Sequence, residues 1–182
     1  MRCFSPLRRC GFLLILAAAP FFAGCAGYHI GPVKPKAYAG IESIAVPSFK
    51  NDTLETRVEV LLANCVIKQI QQDGTYKIAS EKDADAILEC TLEQVTRNAA
   101  RNVAGNVLQT REYTLQLRVD YRLIDRRTGK LLNRRSANGT TSFFVNGSGS
   151  NAADVNQDER QALPLAAEDM AIRLVSELSE GW

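Results

Sequence analysis

From Glu112 to Leu123 the chain reads EYTLQLRVDYRL. Tyr113, Leu115, Leu117, Val119, Tyr121 and Leu123 alternate without a break with Thr114, Gln116, Arg118, Asp120 and Arg122. A period of two puts every apolar residue on one side of a strand, whereas on a helix the same residues would be scattered around the axis. The segment therefore predicts a long strand with one face covered and the other open to water or a partner. DRRTGK (125–130) follows, with Gly129 placed for the left-handed residue of a tight turn. A hairpin partner is then expected from about Lys130 through TTSFFV.

Two segments have the period needed to cover such a sheet. After NDTLE (51–55), Leu54, Val58, Leu61, Leu62, Cys65, Val66 and Ile70 recur at spacings of three and four, as one stripe of a helix. Asp52 and Glu55 have capping-box spacing at its start, and Asp73-Gly74 supplies its stop. The tail from Asp158 to Leu178 carries a second stripe, Leu163, Ala167, Met170, Leu174 and Leu178, with Pro164 as a first-turn residue or a kink. The remaining strands are IESIAVPSF (41–49), ended or left at an edge by Pro47, a short TYKIAS, and ADAILECTLEQVT (84–96). In the last of these Ala86, Leu88, Cys90 and Leu92 share the covered face, and Glu89, Thr91 and Glu93 the wet one. The order is strand, helix, four strands, helix. It predicts an α+β two-layer sandwich, with two amphipathic helices on one face of a mostly antiparallel four- to five-stranded sheet.

The N-terminus has a different composition. Arg2, Arg8 and Arg9 precede GFLLILAAAPFFA (11–23), an uncharged run too short for the roughly 20 residues of a membrane-spanning helix. Small residues follow, which is the layout of a secretory signal. FAGC (22–25) resembles the bacterial lipobox, with Phe22 where leucine is usual. That resemblance makes residues 1–24 a lipoprotein signal peptide and Cys25 the acylated N-terminus; the alternative is an ordinary signal cut nearby. Ala26 rather than aspartate after the cysteine resembles cargo released to the outer membrane. AGYHIGPVKPKAYAG (26–40), rich in glycine and proline, suits a tether from a lipidated Cys25, giving 25–40 as tether and 41–182 as one domain. Fully extended, it spans at most roughly 50 Å.

Several chemistries have no residues to carry them. His29 is the only histidine and lies in the tether, no CxxC occurs, and GxSxG, P-loop and HExxH patterns are absent. No metal, no cofactor and no catalysis is expected. Cys65 and Cys90 are either two buried thiols or a disulfide permitted by an oxidising compartment. Removing the three leading arginines from 22 basic residues leaves 19 against 20 acidic ones, so nucleic acid is not an expected partner. The basic residues do concentrate locally: Arg122, Arg126, Arg127, Lys130, Arg134 and Arg135 stand against one acid, Asp125. This is either a solvated hairpin tip or a patch that meets the phosphates of a glycolipid or an acidic partner.

GCAGYHIG, then IESIAVPSFKNDTLETRVEVLLANCVIKQIQQDGTYKIAS, then DADAILECTLEQVTRN, then EYTLQLRVDYRLIDRRTGKLL, in this order, resemble the LPS-assembly lipoprotein (LptE) family. The resemblance covers essentially the whole mature chain, with Ala26 as an extra residue between Cys25 and the Gly-Tyr. It implies a non-enzymatic outer-membrane lipoprotein with two helices on one side of a small sheet. It further implies a plug in the lumen of an LptD-like β-barrel, which the protein helps to assemble, and binding of lipopolysaccharide for insertion in the outer leaflet. The domain would then sit on the periplasmic side or inside the barrel. The alternative function is a lipid-anchored periplasmic adaptor or activator of a cell-wall synthase, which wants a longer tether.

Overall fold

The structure is a computed structural model that describes residues 34–35, 38–101, 110–146 and 152–180. Cys25 and His29 lie outside the described residues. Three strands of equal length dominate: β4 (Ala86–Arg101), β5 (Thr110–Asp125) and β6 (Leu131–Asn146) run antiparallel as a meander. Sixteen residues at about 3.3 Å each make these strands roughly 50 Å long. The short strands β1 (Ser43–Ala45), β2 (Lys50–Asn51) and β3 (Lys77–Ile78) complete a six-stranded sheet in the order β3-β1-β4-β5-β6, with β2 also on β4. Helix α1 (Val58–Asp73) connects β2 to β3, and α2 (Ala152–Glu180) closes the chain.

The sheet is mixed and has six strands, rather than mostly antiparallel with four or five. β1 pairs in parallel with both β3 and β4, and β2 in parallel with β4. The cause is α1: a helical crossover returns the chain to the same end of the sheet, so the strand after it runs parallel to the strand before it. The first strand ends before Pro47, and pairing with β4 resumes only in β2, after the expected strand's range. Ile44 pairs with Ala86 but Lys50 with Thr91, so the register slips by one residue across the proline.

Both helices cover one face, and their stripes join the inward-facing strand residues in a single core. Leu88, Leu92, Leu115, Leu117, Leu123, Met170, Leu174 and Leu178 are all fully buried. α2 begins at Ala152, before the expected Asp158, so Pro164 lies well inside the helix rather than in its first turn. α2 crosses β6 at Gly139, where a Cβ would lie 2.6 Å from the Met170 Cβ and 2.7 Å from its backbone nitrogen. Glycine is the only residue that lets helix and strand approach so closely.

The start of α1 departs from the expected capping box. Asp52 continues the β2 ladder, its N–H donating to the Leu92 carbonyl at 3.0 Å. Asn51 organises the entry instead: its Oδ1 accepts from the N–H and Oγ1 of Thr53, and its Nδ2 donates to the Glu55 carbonyl. Arg57 enters the helix in the left-handed region, φ 65°, and Leu54 is fully exposed instead of lying on the buried stripe. The domain also begins before Ile41. Tyr38 is buried in the core, and the Lys34 ammonium donates to the Ile41 carbonyl at 2.9 Å while lying 5.1 Å from the centre of the Tyr76 ring.

Candidate functional site: the open sheet face and the basic turn

The face of the meander turned away from the helices follows from register. Across β4, β5 and β6 it carries the rows Glu89–Arg122–Arg134, Thr91–Asp120–Ser136, Gln94–Arg118–Asn138, Thr96–Gln116–Thr140 and Asn98–Thr114–Ser142. Every position in these five rows is polar, and each is exposed or half-buried. Aliphatic side chains, by contrast, dominate the other face. Arg122 Nη2 donates to Glu89 Oε2 at 2.6 Å along the first row, and Arg118 Nε lies 3.8 Å from Asp120 Oδ1. Asp120 Oδ1 makes no hydrogen bond among the described residues. Gln94, Thr96, Gln116, Arg118 and Asn138 line a shallow groove of about 240 Å³ at the centre.

A β-bulge builds the lower part of this face. The register steps from Leu92↔Val119 to Gln94↔Arg118, so Glu93 is the extra residue and the side-chain phase inverts beyond it. Gln94, Thr96 and Asn98 thereby come to the open face, and Val95 packs against the core. Arg97 is carried to the helix side, where it is paired with Glu55 before α1 and with the nearly buried Glu159 of α2. Burial disfavours the Arg97 charge, but the two carboxylates outweigh it and the group's pKa is raised. None of this was expected from simple alternation. The signal was present in the spacing of Leu92 and Val95, two apolar residues an odd number apart in one strand.

The six basic residues do not share one face of the sheet, although all lie at the turn end of the meander. Arg122 and Arg134 are neighbours on the open face. Arg135 pairs with Tyr121 and so belongs to the helix side of the sheet, near Tyr38. Arg126 is exposed but engaged, its Nε donating to the Ala84 carbonyl. Arg127 and Lys130 are exposed at the turn itself. Gly129 has the expected positive φ, 69°, and Asp125 Oδ1 accepts from the N–H groups of Arg127 and Thr128. Those backbone donors, led by Thr128, hold the Asp125 carboxyl below its usual pKa. Asp85 is depressed in the same way: its Oδ2 accepts from Ser43 Oγ at 2.8 Å and from the N–H groups of Glu42 and Ser43.

On the helix side, Tyr121 is fully buried and donates to Glu177 Oε2 at 2.6 Å; burial, then that carboxylate, push its pKa up. The Tyr76 hydroxyl donates to the Leu178 carbonyl and is pushed to about 12, chiefly by burial. Cys65 and Cys90 are free, so no disulfide joins them: Cys90 faces the core from β4, while Cys65 lies half-buried in the furrow between α1 and α2. Burial raises the pKa of both thiols. Among the described residues no group of three or more His, Cys, Asp or Glu side chains could hold a metal, and no helix is long and apolar enough to cross a membrane.

The fold recurs in solved structures at low identity. A Helicobacter pylori protein described as a neuraminyllactose-binding hemagglutinin homologue is similar over 85% of this chain and 93% of its own, at 11% identity and a TM-score of 0.52. A Chlamydia trachomatis protein is similar over 76% of this chain and 96% of its own, at 8% identity and a TM-score of 0.51. A minor lipoprotein of Acinetobacter baumannii follows at 14% identity and a TM-score of 0.49, over 78% of this chain and 92% of its own. These likenesses concern the fold alone. No curated protein sequence matches the chain. The family model for LptE, lipopolysaccharide-assembly, matches residues 41–178, from the strand that opens the domain to the last turns of α2, and the chain therefore belongs to the LptE lipopolysaccharide-assembly family.

Proposed function

We propose that this protein is a lipid-anchored, non-enzymatic component of lipopolysaccharide transport at the outer membrane. In this reading it is acylated at Cys25 and lodges as a plug in the lumen of an LptD-like β-barrel whose assembly it assists. The observation that carries the reading is the polar centre of the open face, five rows deep, with apolar side chains confined to its two ends, Ile87, Ile124 and Leu131 at one and Phe144 at the other. A barrel lumen is lined by polar side chains and water, so a protein seated there gains nothing from an apolar surface. It needs a broad array of donors and acceptors, which the five rows supply. The length fits as well. Strands of roughly 50 Å match a bilayer of about 40–45 Å including its headgroups.

Lipopolysaccharide carries phosphates, and arginine pairs with phosphate through two parallel hydrogen bonds. Arg122 and Arg134 on the open face, Arg127 and Lys130 at the turn, and Arg135 on the helix side of β6 are the groups proposed to contact it or an acidic partner surface. Arg126 is the weakest of the six, because its Nε is already engaged by Ala84. The adaptor alternative is disfavoured by the tether. With Lys34 and Tyr38 held on the domain, nine residue steps separate Cys25 from Lys34, and at most 3.6 Å per step gives about 30 Å of reach. Outer membranes solubilised in mild detergent should release this protein together with a large β-barrel. Its recovery alone, or with a cell-wall synthase, would count against the plug.

A further inference from the structure

We infer that the corner of the domain formed by the β5–β6 turn and the root of the tether is a docking surface for anionic phospholipid headgroups of the membrane that carries the anchor. The inference rests on the proposed acylation of Cys25 and goes beyond it by assigning a second, electrostatic contact with the bilayer.

Three observations converge on that corner. The first is covalent proximity. Asp85 binds the backbone of Glu42 and Ser43, directly after the tether root, and its own carbonyl accepts the N–H of Arg126 in the turn. Tyr38, in the root itself, lies beside Asn133 and Arg135 at the start of β6. The basic turn and the point where the chain leaves for the lipid therefore share one end of a sheet whose other end is roughly 50 Å away.

The second is reach. At most about 30 Å of chain lies between Lys34 and Cys25. An anionic surface attracts cations only within about a Debye length, roughly 8–10 Å at ordinary salt. Of the two ends of the meander, the tethered one is the end that can be drawn into that layer.

The third is charge. Arg127, Lys130, Arg134 and Arg135 are exposed and make no ion pair with any described residue, whereas Arg97, Arg122 and Arg173 each have a carboxylate partner. The acid nearest the turn, Asp125, has its carboxylate occupied by backbone donors. Four unpaired cations beside a lipid attachment point form the second of two membrane signals; each alone binds marginally, and together they hold. The consequence is orientation: the tethered end of the long strands is held level with the headgroups of the leaflet that carries the anchor.

The test uses the full mature chain with Cys25→Ala, so that no acyl chain contributes, and sedimentation with vesicles. Vesicles of phosphatidylglycerol in phosphatidylethanolamine should bind it, and vesicles of phosphatidylcholine should not. At about five-fold per basic residue near the surface, Arg127→Gln, Lys130→Gln, Arg134→Gln and Arg135→Gln together should lower binding about 600-fold. Lys68→Gln, on the exposed side of α1, should leave it unchanged. Binding of the parent should also collapse in 1 M salt, where the Debye length is about 3 Å, a readout that stands even if the fourfold variant folds poorly. Equal binding to neutral vesicles, or salt-independent binding, overturns the proposal. So does a fourfold variant that loses binding to lipopolysaccharide micelles while keeping it to phosphatidylglycerol, since the corner is then a lipopolysaccharide site. The assay contains no barrel and no acyl chain, so its failure is distinct from failure of the plug or of lipidation.

Discussion

Gly139→Ala separates two opposing effects whose sizes can be set against each other. In a strand interior, alanine in place of glycine should stabilise by about 0.5–1 kcal/mol, because the unfolded chain loses freedom. Against that, the new Cβ meets the Ala166 carbonyl oxygen and lies 2.6 Å from the Met170 Cβ and 2.7 Å from its nitrogen. These are backbone and Cβ atoms, which cannot rotate away. Relief requires α2 to lift from β6, and overpacking of this kind costs about 1–3 kcal/mol and occasionally more. The net loss is therefore about 1 kcal/mol, or some 2–4 °C in Tm for a domain of about 150 residues. Thermal unfolding followed by circular dichroism reads it directly. Gly40→Ala, with nothing within 4 Å of its new Cβ, is the matched control and should be neutral. Truncating the partner as Met170→Ala should not rescue the variant, because the contacts are with atoms that alanine keeps. A Gly139→Ala protein as stable as the parent would refute the close approach of helix and strand.

Arg97→Ala leaves the buried Glu159 carboxylate without its partner. Losing a buried partner can cost 3–5 kcal/mol, but Arg97 is 41% exposed and water can enter, so about 1–2 kcal/mol is expected; Glu159→Gln in the same chain should recover part of it, and additive losses in that cycle would rule out the pairing. The Asp85 carboxyl titrates below its unfolded value of about 3.9, so its contribution is complete above that value and is lost as pH falls through the depressed folded pKa. Asp85→Asn should thus lower Tm at pH 7 by an amount that shrinks towards pH 2; a gap that does not change with pH removes the carboxylate from the explanation. Radiolabelled palmitate should enter the parent and not Cys25→Ala, and label that persists in the variant would refute acylation at that cysteine.

The meander and both helices were legible because their periods are long and unbroken. Tyr113 to Leu123 fixes the covered face of β5, and the stripe from Leu163 to Leu178 fixes that of α2. Where single residues decide, the pattern was insufficient. Asp52 has the spacing of a helix cap, yet its backbone is taken by the β2–β4 ladder, and Asn51 does the organising one position earlier. Glu93 inverts the phase of β4, which no count of alternating residues up to Leu92 can show. The parallel pairing of β1 was implied by a helix between strands but masked by the antiparallel meander that dominates the pattern. The basic residues illustrate a further limit. Six cations close in sequence are divided by strand alternation and a turn among two sheet faces and an edge, so density along the chain overstated their density in space.

The central claim is that the polar sheet face lies against a β-barrel. A photoactivatable cross-linking residue placed at Asn138, the middle of the open face, tests it in growing cells. The account predicts an ultraviolet-dependent adduct with a large outer-membrane β-barrel protein of lipopolysaccharide transport. An adduct with a cell-wall synthase, or no adduct from this position while the protein is present at its normal level, would contradict it.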